Sequence, residues 1–370
     1  MVDWSDREPG HFVARAAGIV PRLVRRRAAG APAGAIGLSD RGAGLSPGQR
    51  PLRIGTRASA LALWQTERVR AGLAQHGYAT ERIEVRTTGD VVQDLPLARI
   101  GGRAFFTKQL DDAILEGRID IAVHSLKDLP TELPEGIALG AVGLREDPRD
   151  ALVAREGLEW ATLPTGAAIA TSSQRRRAQL LHARPDLRLA DIRGNVDTRL
   201  AKLERNGDWS AIVLAAAGLV RLGLAGRISQ RLSFDVMLPA PGQGALAATV
   251  RADDATAVAA VRRALHDNAT ELAASAERGF LRRLEGGCQV PVGAHAEIDR
   301  TSEGPVVRLR GRVVSLTGET SVEGERAGAA ASAAEADALG VALAEQLLSQ
   351  GADAILRSVR EARVEPVPEP

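Results

Sequence analysis

The sequence predicts an α/β protein with three domains. Its 370 residues exceed one usual domain of roughly 100–200 residues. Strand-like runs alternate with helical patterns in two successive series, which is typical of parallel sheets covered by helices. We therefore expect two similar α/β domains with a cleft between them, followed by a smaller third α/β domain. The predicted boundaries are 51–145 with 240–264 for the first domain, 146–239 for the second and 265–370 for the third.

The composition fits a soluble globular protein, since 45% of the residues are hydrophobic and 25% are charged. No apolar run approaches the ~20 residues that a bilayer requires. The single cysteine excludes an internal disulfide framework, and the six histidines show no metal-ligand spacing, so we expect no metal and a cytoplasmic location. A net charge of +2 and 3% aromatic residues argue against a nucleic-acid partner.

The first series of elements follows an N-terminal extension, residues 1–50, whose weak periodicity predicts disorder. Ser59 is placed to cap the first helix. The predicted elements are a strand at 52–55, a helix from 60 to about 75, a strand at 82–88, a helix at 106–116 and a buried strand at 119–123.

The second series contains four short strands and two helices, and two further helices lead to the third domain. The strands are predicted at 151–154, 167–170, 187–192 and 211–215, and the helices from 174 and from 196 to about 205. A strand at 245–250 and helices near 254–265 and 270–284 follow. The third domain is predicted to contain strands near 292–298 and 306–314 and a long helix from about 331.

The only cysteine, Cys288, lies in the stretch Gly286-Gly287-Cys288-Gln289-Val290-Pro291. Two preceding glycines and a following proline predict a tight, stiff loop. A thiol at the tip of such a loop can reach into a cleft, whereas a lone cysteine is more often a small buried hydrophobe. The loop alone leaves both interpretations open.

Arginines recur where predicted strands end, the position of the ligand crevice in open α/β sheets. Helix N-termini there offer free N–H groups, and guanidinium forks bind carboxylates with two parallel hydrogen bonds. The pattern predicts a cleft for a ligand with several anionic groups, against the alternative of solvated helix faces. The absence of a P-loop pattern weakens phosphate as that ligand. The arginines are Arg57, Arg175, Arg176, Arg193, Arg199 and Arg221.

Asp128 is the candidate acid/base residue, because it follows a buried strand and Lys127 precedes it. A carboxylate in a cleft can exchange protons and can pair with a developing cation. The alternative is a carboxylate that caps the turn before Pro130.

Six stretches in this order resemble the porphobilinogen deaminases, also called hydroxymethylbilane synthases. They are Arg57–Ser59 with Leu61–Gln65, Ala122–Pro130, Thr171–Arg176, Arg193–Val196, Leu238-Pro239 with Gly242–Gly244, and Leu284–Pro291. The resemblance implies that the first two domains are built like periplasmic binding proteins and that the third carries the cysteine loop.

The resemblance also implies a transferase of tetrapyrrole and haem biosynthesis. The Cys288 sulfur would carry one covalent dipyrromethane per chain through a thioether. This cofactor is two linked pyrroles, each with an acetate and a propionate arm, and it acts as a primer. Four porphobilinogen molecules would be added with loss of ammonia, and water would then release hydroxymethylbilane.

Residue roles carried over from the resemblance centre on Asp128, which would protonate the departing amine, stabilise the azafulvenium cation and remove the α-proton after coupling. The residues expected to bind the cofactor are Lys127, Ser172, Ser173, Arg175, Arg176, Arg193 and Arg199, besides Cys288. Those expected to bind or enclose the substrate are Arg57, Ser59, Gln65, Phe106, Thr171 and Arg221. Arg99 and Arg103 replace lysines that the family often has before Phe106.

Two rival functions are consistent with parts of the pattern. A non-catalytic anion-binding protein with the same two-domain cleft would have no reason for a cysteine on a Gly-Gly loop. A pyridoxal-phosphate enzyme using Lys127 as its Schiff base lacks the expected phosphate cup. We therefore expect a monomeric enzyme with porphobilinogen as its substrate and with neither a nucleic-acid nor a membrane partner.

Overall fold

Three β-sheets organise the part of the chain that the computed structural model describes, residues 50–86, 107–284, 290–302 and 304–364. The predicted extension before Arg50, together with Arg99, Arg103, Phe106 and Cys288, lies outside these residues. The strands are β1 (Leu52–Thr56), β2 (Thr80–Glu84), β3 (Ile121–Ser125), β4 (Ile137–Val142), β5 (Asp150–Ala154), β6 (Ala168–Ala170), β7 (Arg188–Ala190), β8 (Ala211–Ala215), β9 (Gln230–Arg231), β10 (Leu246–Arg251), β11 (Val292–Thr301), β12 (Gly304–Val314) and β13 (Ser321–Ala329).

Helices cover the sheets and connect their strands. They are α1 (Ala60–Gln75), α2 (Lys108–Leu115), α3 (Gln174–Ala183), α4 (Val196–Arg205), α5 (Ala216–Arg221), α6 (Ala255–Leu265), α7 (Asn268–Arg283), α8 (Ala333–Leu347) and α9 (Asp353–Val364). The predicted cap of α1 is confirmed, because the Ser59 hydroxyl accepts a hydrogen bond from the Ala62 N–H at 3.3 Å.

The first two sheets share one strand order. The first runs β2-β1-β3-β10-β4 and the second β7-β6-β8-β5-β9. The fourth strand is β10 in the first sheet and β5 in the second, and each of these strands is reached by a connection from the other sheet. The third sheet is the hairpin series β11-β12-β13 with α7 and α8 packed on it. The predicted α/β class, with two similar sheets and a smaller third unit, is confirmed.

The expectation of parallel sheets was wrong for one strand of each large sheet, because that strand runs antiparallel to both of its neighbours. β10 runs antiparallel to β3 and β4, and β5 runs antiparallel to β8 and β9. A parallel neighbour needs a crossover that returns the chain to the same end of the same sheet. β5 and β10 instead follow connections between the two sheets, so they need not keep that direction.

We call each sheet with its packed helices the first, second and third lobe, and we propose that the lobes are the three predicted domains. Each lobe has its own buried apolar clusters. In the third lobe, α7 and α8 approach backbone to backbone. A Cβ added at Gly340 would lie 2.0 Å from the Ala276 carbonyl oxygen, so only glycine permits this contact.

Glu277 of α7 connects the third lobe to both segments that cross between the large sheets. Its fully buried carboxylate accepts hydrogen bonds from Arg145 at 2.7 and 3.1 Å, and from the backbone N–H groups of Gly242 and Ala296, both at 2.7 Å. Burial raises the pKa of Glu277, but Arg145 and His295 outweigh this and hold it below its usual value. The carboxylate is therefore ionised at neutral pH, and the stability it contributes is lost as the pH falls through its folded-state pKa.

Replacing Glu277 by glutamine is expected to lower the free energy of unfolding by about 3–5 kcal/mol, because the Arg145 charge is left buried without a partner. Urea denaturation at pH 7 measures the change. Glu345→Gln is the matched control, since its ion pair with Arg283 is exposed and should contribute less than about 1 kcal/mol. Equal losses for the two variants would contradict this role for Glu277.

Candidate active site

A cavity of about 360 Å³ lies where residues of all three lobes meet. Its first-lobe wall is the segment 127–132, and its second-lobe wall is the start of α3. The crossing segment before β10 and the α7 face of the third lobe complete it. The lining residues are Lys127, Asp128, Leu129, Pro130, Thr131, Glu132, Ser173, Arg175, Arg176, Ala240, Pro241, Gln243, Arg278, Leu281, Arg282, Val290 and Val292. Val290 is two positions after Cys288 in the sequence.

Asp128 ends the single helical turn Leu126–Asp128 that follows β3. Leu126 is fully buried beneath this turn, which leaves the Asp128 side chain exposed at the cavity wall. No hydrogen-bond donor among the described residues reaches its carboxylate, so the alternative role as a turn cap lacks a supporting contact. A carboxyl in this position can hold or accept a proton at the cavity surface.

Lys127 stands beside Asp128, and its ammonium group donates a hydrogen bond to the Gln243 side-chain oxygen at 3.2 Å. Burial, with the nearby Arg176 and Arg175, lowers the pKa of Lys127 to about 8 against the opposing effect of Asp128 and Asp150. The group therefore changes its charge just above neutral pH.

Arg175 and Arg176 begin α3 and line the cavity, and each is 6% exposed. Both pair with the same buried carboxylate. Arg175 Nη1 lies 2.6 Å from Asp150 Oδ2, and Arg176 Nη2 lies 2.7 Å from Asp150 Oδ1. Part of each predicted anion-binding fork is thus already engaged within the protein.

The hydroxyl groups before α3 differ in what they contact. Ser172 Oγ donates to the Ile192 carbonyl at 2.9 Å and accepts from the Ile192 N–H at 3.0 Å, so it joins the ends of β6 and β7. Thr171 is buried, and its hydroxyl accepts from the Ser173 N–H at 3.3 Å. Ser173 alone of the three lines the cavity as described.

Arg193 and Arg199 form a second group of cations near Arg176. Arg199 donates from Nε to the Gly194 carbonyl at 2.7 Å. Burial lowers its pKa to about 10, assisted by the positive charges of Arg176 and Arg193. Arg193 Nη1 is buried and has no hydrogen-bond acceptor among the described residues. Crowded cations with an unsatisfied N–H group favour an anionic ligand at this position.

The remaining predicted residues of the described chain do not line the cavity. The Ser59 hydroxyl caps α1, and Gln65 donates to the Ser125 hydroxyl at 2.7 Å. Arg57 follows β1. Burial lowers the pKa of His124 to about 4, and the positive charge of Arg57 contributes to this shift. Arg221 donates to the Gly244 carbonyl, and its guanidinium lies 5.6 Å from the centre of the Trp64 ring.

Sequence reasoning missed four residues that shape the cavity: Asp150, Gln243, Arg278 and Arg282. Arg278 donates to the carbonyls of Pro130 at 2.7 Å and Thr131 at 3.1 Å, and so holds the segment after Asp128. Gln243 lies in the Gly242–Gly244 stretch, one of those that carry the family resemblance, but no role for its side chain follows from that pattern. Asp150 and the two arginines belong to no motif that would have indicated these contacts.

Two family models match the chain. "Porphobilinogen deaminase, dipyromethane cofactor binding domain" matches residues 52–259, and "Porphobilinogen deaminase, C-terminal domain" matches residues 271–349.

Among the residues that the structure describes, no helix combines the length and apolar character needed to span a membrane.

The matches to curated relatives extend over nearly the whole length of each relative. A porphobilinogen deaminase of Rubrobacter xylanophilus is 53% identical over 309 residues, which is 84% of this chain and 97% of the relative. One of Syntrophotalea carbinolica is 49% identical over 310 residues, or 83% of this chain and 96% of the relative. Among solved structures, a nutrient-binding protein of Burkholderia cenocepacia bound to methionine has a TM-score of 0.38 and 16% identity, covering 60% of this chain and 93% of that chain.

Proposed function

The chain belongs to the porphobilinogen deaminase family, and from this premise we propose that it polymerises porphobilinogen on a covalently bound dipyrromethane. Four substrate molecules are joined with release of ammonia, and hydrolysis liberates hydroxymethylbilane. The reaction is a transferase step of tetrapyrrole and haem biosynthesis. The observation that carries this proposal is the match of the cofactor-binding family model to residues 52–259, the part of the chain that supplies Asp128 and the arginines.

The donor set of the cavity fits dipyrromethane, which carries four carboxylates. The fit depends on the cations at the wall and on the buried, unsatisfied Nη1 of Arg193, which belongs to the neighbouring group of cations outside the described wall. Bound through the Cys288 sulfur, dipyrromethane supplies the electron-rich pyrrole carbon at which chain growth begins. The residues that would hold its carboxylates are Lys127, Ser172, Ser173, Arg175, Arg176, Arg193 and Arg199.

Asp128 performs the proton transfers in this proposal. Its carboxyl keeps the aminomethyl nitrogen of porphobilinogen protonated, so that nitrogen leaves as ammonia. The carboxylate then stabilises the azafulvenium cation that the substrate becomes, by charge and by accepting a pyrrole N–H hydrogen bond. After the carbon–carbon bond forms, an Asp128 oxygen takes the α-proton. Its exposed position at the cavity wall, without a hydrogen-bond donor among the described residues, supports this role.

The substrate carboxylates are assigned to side chains outside the described cavity wall. We place Arg57, Ser59, Gln65, Thr171 and Arg221 in this group, with Phe106 enclosing the substrate. Arg57 and Ser59 follow β1 directly, so they lie where a strand of the first sheet ends, and Arg221 ends the short helix α5 that follows β8. We also propose a monomeric, cytoplasmic enzyme.

Incubation of the purified protein with porphobilinogen tests the proposal. The expected result is the release of four ammonia molecules for every hydroxymethylbilane formed. A protein that binds porphobilinogen without releasing ammonia would instead be the anion-binding rival. A yellow chain that borohydride bleaches would indicate a pyridoxal-phosphate enzyme on Lys127.

The low pKa of Lys127 predicts a pH dependence. Because the pKa is depressed to about 8, the ammonium group is lost as the pH rises through that value, and its attraction for carboxylates goes with it. We expect kcat/KM to fall with this apparent pKa, and Lys127→Gln to be less active at pH 7 and to lack this part of the profile. Lys108→Gln is the control, because the pKa of Lys108 is raised by Asp112. An unchanged profile in Lys127→Gln would contradict the assignment.

A further inference from the structure

Asp150 is a fully buried carboxylate that no step of the proposed reaction uses. It begins β5 and accepts hydrogen bonds from Arg175 Nη1 at 2.6 Å, from Arg176 Nε at 3.0 Å and Nη2 at 2.7 Å, and from Gln243 Nε2 at 3.1 Å. Burial raises its pKa, but the two arginines and Lys127 outweigh burial and hold the pKa well below its usual range. The carboxylate is therefore charged at the pH at which an enzyme works.

The contacts of the two arginines leave part of each fork for a ligand. Arg175 Nη1 also donates to the Leu238 carbonyl at 2.8 Å, and Arg176 Nη1 donates to the Val213 carbonyl at 2.9 Å. Within the described chain, both side-chain hydrogen bonds of Arg175 come from Nη1, and none comes from Nε or Nη2. Arg175 is thus fixed through Nη1 alone, whereas Arg176 is fixed through all three nitrogens and keeps only the second N–H of Nη1 and of Nη2 for a ligand; both still line the cavity.

Gln243 extends the same network to the first lobe. Its Nε2 donates to Asp150 and to the Pro148 carbonyl at 2.7 Å, and its Oε1 accepts from Lys127 Nζ at 3.2 Å. The side chain is fully buried, and an amide can satisfy a carboxylate and an ammonium group at once only by presenting its two ends to them. One chain of hydrogen bonds therefore joins cations of two lobes through a segment that crosses between them.

The charges around the network favour a ligand with carboxylates. Lys127, Arg175 and Arg176 carry three positive charges, against the two carboxylates of Asp150 and Asp128. Without Asp150, the two neighbouring guanidiniums would be buried without the carboxylate that pairs with both of them and offsets their mutual repulsion. With it, they stay close together, and one positive charge remains in excess.

We infer that Asp150 is a positioning residue of this active site, which fixes Arg175 and Arg176 and, through Gln243, the Lys127 ammonium in the arrangement that grips the carboxylates of the enzyme-bound pyrrole chain. The inference rests on the proposed function and deepens it. The opposing interpretation is a buried ion cluster that contributes to stability alone.

Asp150→Asn tests this role, because it removes the charge and keeps the volume. We expect kcat to fall by roughly 10²-fold per folded, primer-carrying chain, as is typical when groups that orient reactants are misplaced by about 1 Å. KM for porphobilinogen should change much less, because these cations hold the bound chain rather than the incoming substrate. Intact mass should also show a smaller fraction of chains carrying the primer. Asp150→Glu, which restores the charge, should recover part of both losses.

Two further variants keep the test decisive. Gln243→Met removes the link to Lys127 and leaves the ion pairs of Asp150 with Arg175 and Arg176 in place, so it should fold even if Asp150→Asn does not, and should lower kcat in the same direction. Asp120→Asn is the matched control: Asp120 also pairs with two arginines, Arg50 at 2.7 Å and Arg53 at 2.8 Å, but it precedes β3 at the end away from the cavity. It should lose stability and keep both kcat and the loaded fraction.

The inference is overturned if folded, loaded Asp150→Asn or Gln243→Met keeps the wild-type kcat, or if Asp120→Asn loses as much. An unaltered protein with neither a primer nor turnover would overturn the proposed function and this inference together. If the wild-type protein is active and Asp150→Asn and Gln243→Met keep its kcat, this inference alone is overturned and the proposed function stands.

Discussion

Asp128→Asn is expected to lower turnover by about 10²–10⁴-fold while the fold stays intact, because the change removes the group that moves protons but hardly changes the volume. The exposed position of the side chain at the cavity wall makes a structural loss small. Turnover is measured as hydroxymethylbilane formed per primer-carrying chain, with the primer counted by intact mass. Circular dichroism and thermal unfolding check the fold.

Glu132→Gln is the control for Asp128, since Glu132 is the other carboxylate of the described cavity wall. It should reduce turnover by less than about tenfold, because an exposed carboxylate that only adds local negative charge has a small effect. If Asp128→Asn kept near-normal turnover, or if both variants lost activity equally, Asp128 would not be the proton-transfer group.

Cys288→Ala is expected to abolish product formation, because it removes the only sulfur in the chain to which a thioether primer can be attached. The protein should fold but have the mass of its bare sequence. Its thermal midpoint should also fall, since a group bound only by the folded state stabilises that state. Intact mass, a porphobilinogen assay and thermal unfolding measure the three effects.

Cys288→Ser separates the loss of sulfur from the loss of side-chain volume in the loop. It keeps the size of the residue and should behave like Cys288→Ala, with no primer and no product. If either variant retained an attached primer and normal product formation, the covalent link would have to lie at another residue.

Local sequence patterns were sufficient for elements whose signals lie within a few residues. Ser59 and the apolar spacing after it predicted α1, and the alternating apolar residues near 292–298 and 306–314 predicted β11 and β12, all of which are confirmed. β3 lies two residues later than predicted, at 121–125 instead of 119–123. β2 begins two residues earlier than predicted and spans 80–84 instead of 82–88, of which residues 87–88 lie outside the described chain. Such shifts arise because a strand ends where its hydrogen bonding to a neighbouring strand stops, which a local apolar pattern does not reveal.

The strands β4, β9 and β13 and the helices α5 and α9 were missed, three of them for physical reasons that the structure shows. β13 reads Ser-Val-Glu-Gly-Glu-Arg-Ala-Gly-Ala and lacks an apolar alternation, because most of its side chains are exposed or only partly buried. β4 follows a proline-rich turn and contains a glycine, and α5 is a single short helix of small residues. Their stability comes from pairing and packing with distant segments, which a local pattern does not reveal.

In the candidate site, too, local patterns predicted some residues, whereas contacts between distant segments were not predicted. The strand-end rule pointed to Asp128, Arg175 and Arg176, the family resemblance added Lys127 and Ser173, and the structure places all five on the first-lobe and second-lobe walls of the cavity. The partner of the two arginines was not foreseen, because Asp150 lies 25 and 26 positions away from them and 93 from Gln243. Contacts over such distances depend on how the sheets are connected. The roles of the individual residues remain predictions.

The most direct test of the account is the mass of the untreated protein and of its Cys288 peptide. We expect the intact chain to exceed its sequence mass by two deaminated porphobilinogen units, with the whole excess on that peptide. Limiting porphobilinogen should then add further single units to the same peptide. A chain with its bare sequence mass that still made hydroxymethylbilane, or an excess located on another peptide, would contradict a pyrrole chain growing from the Cys288 sulfur.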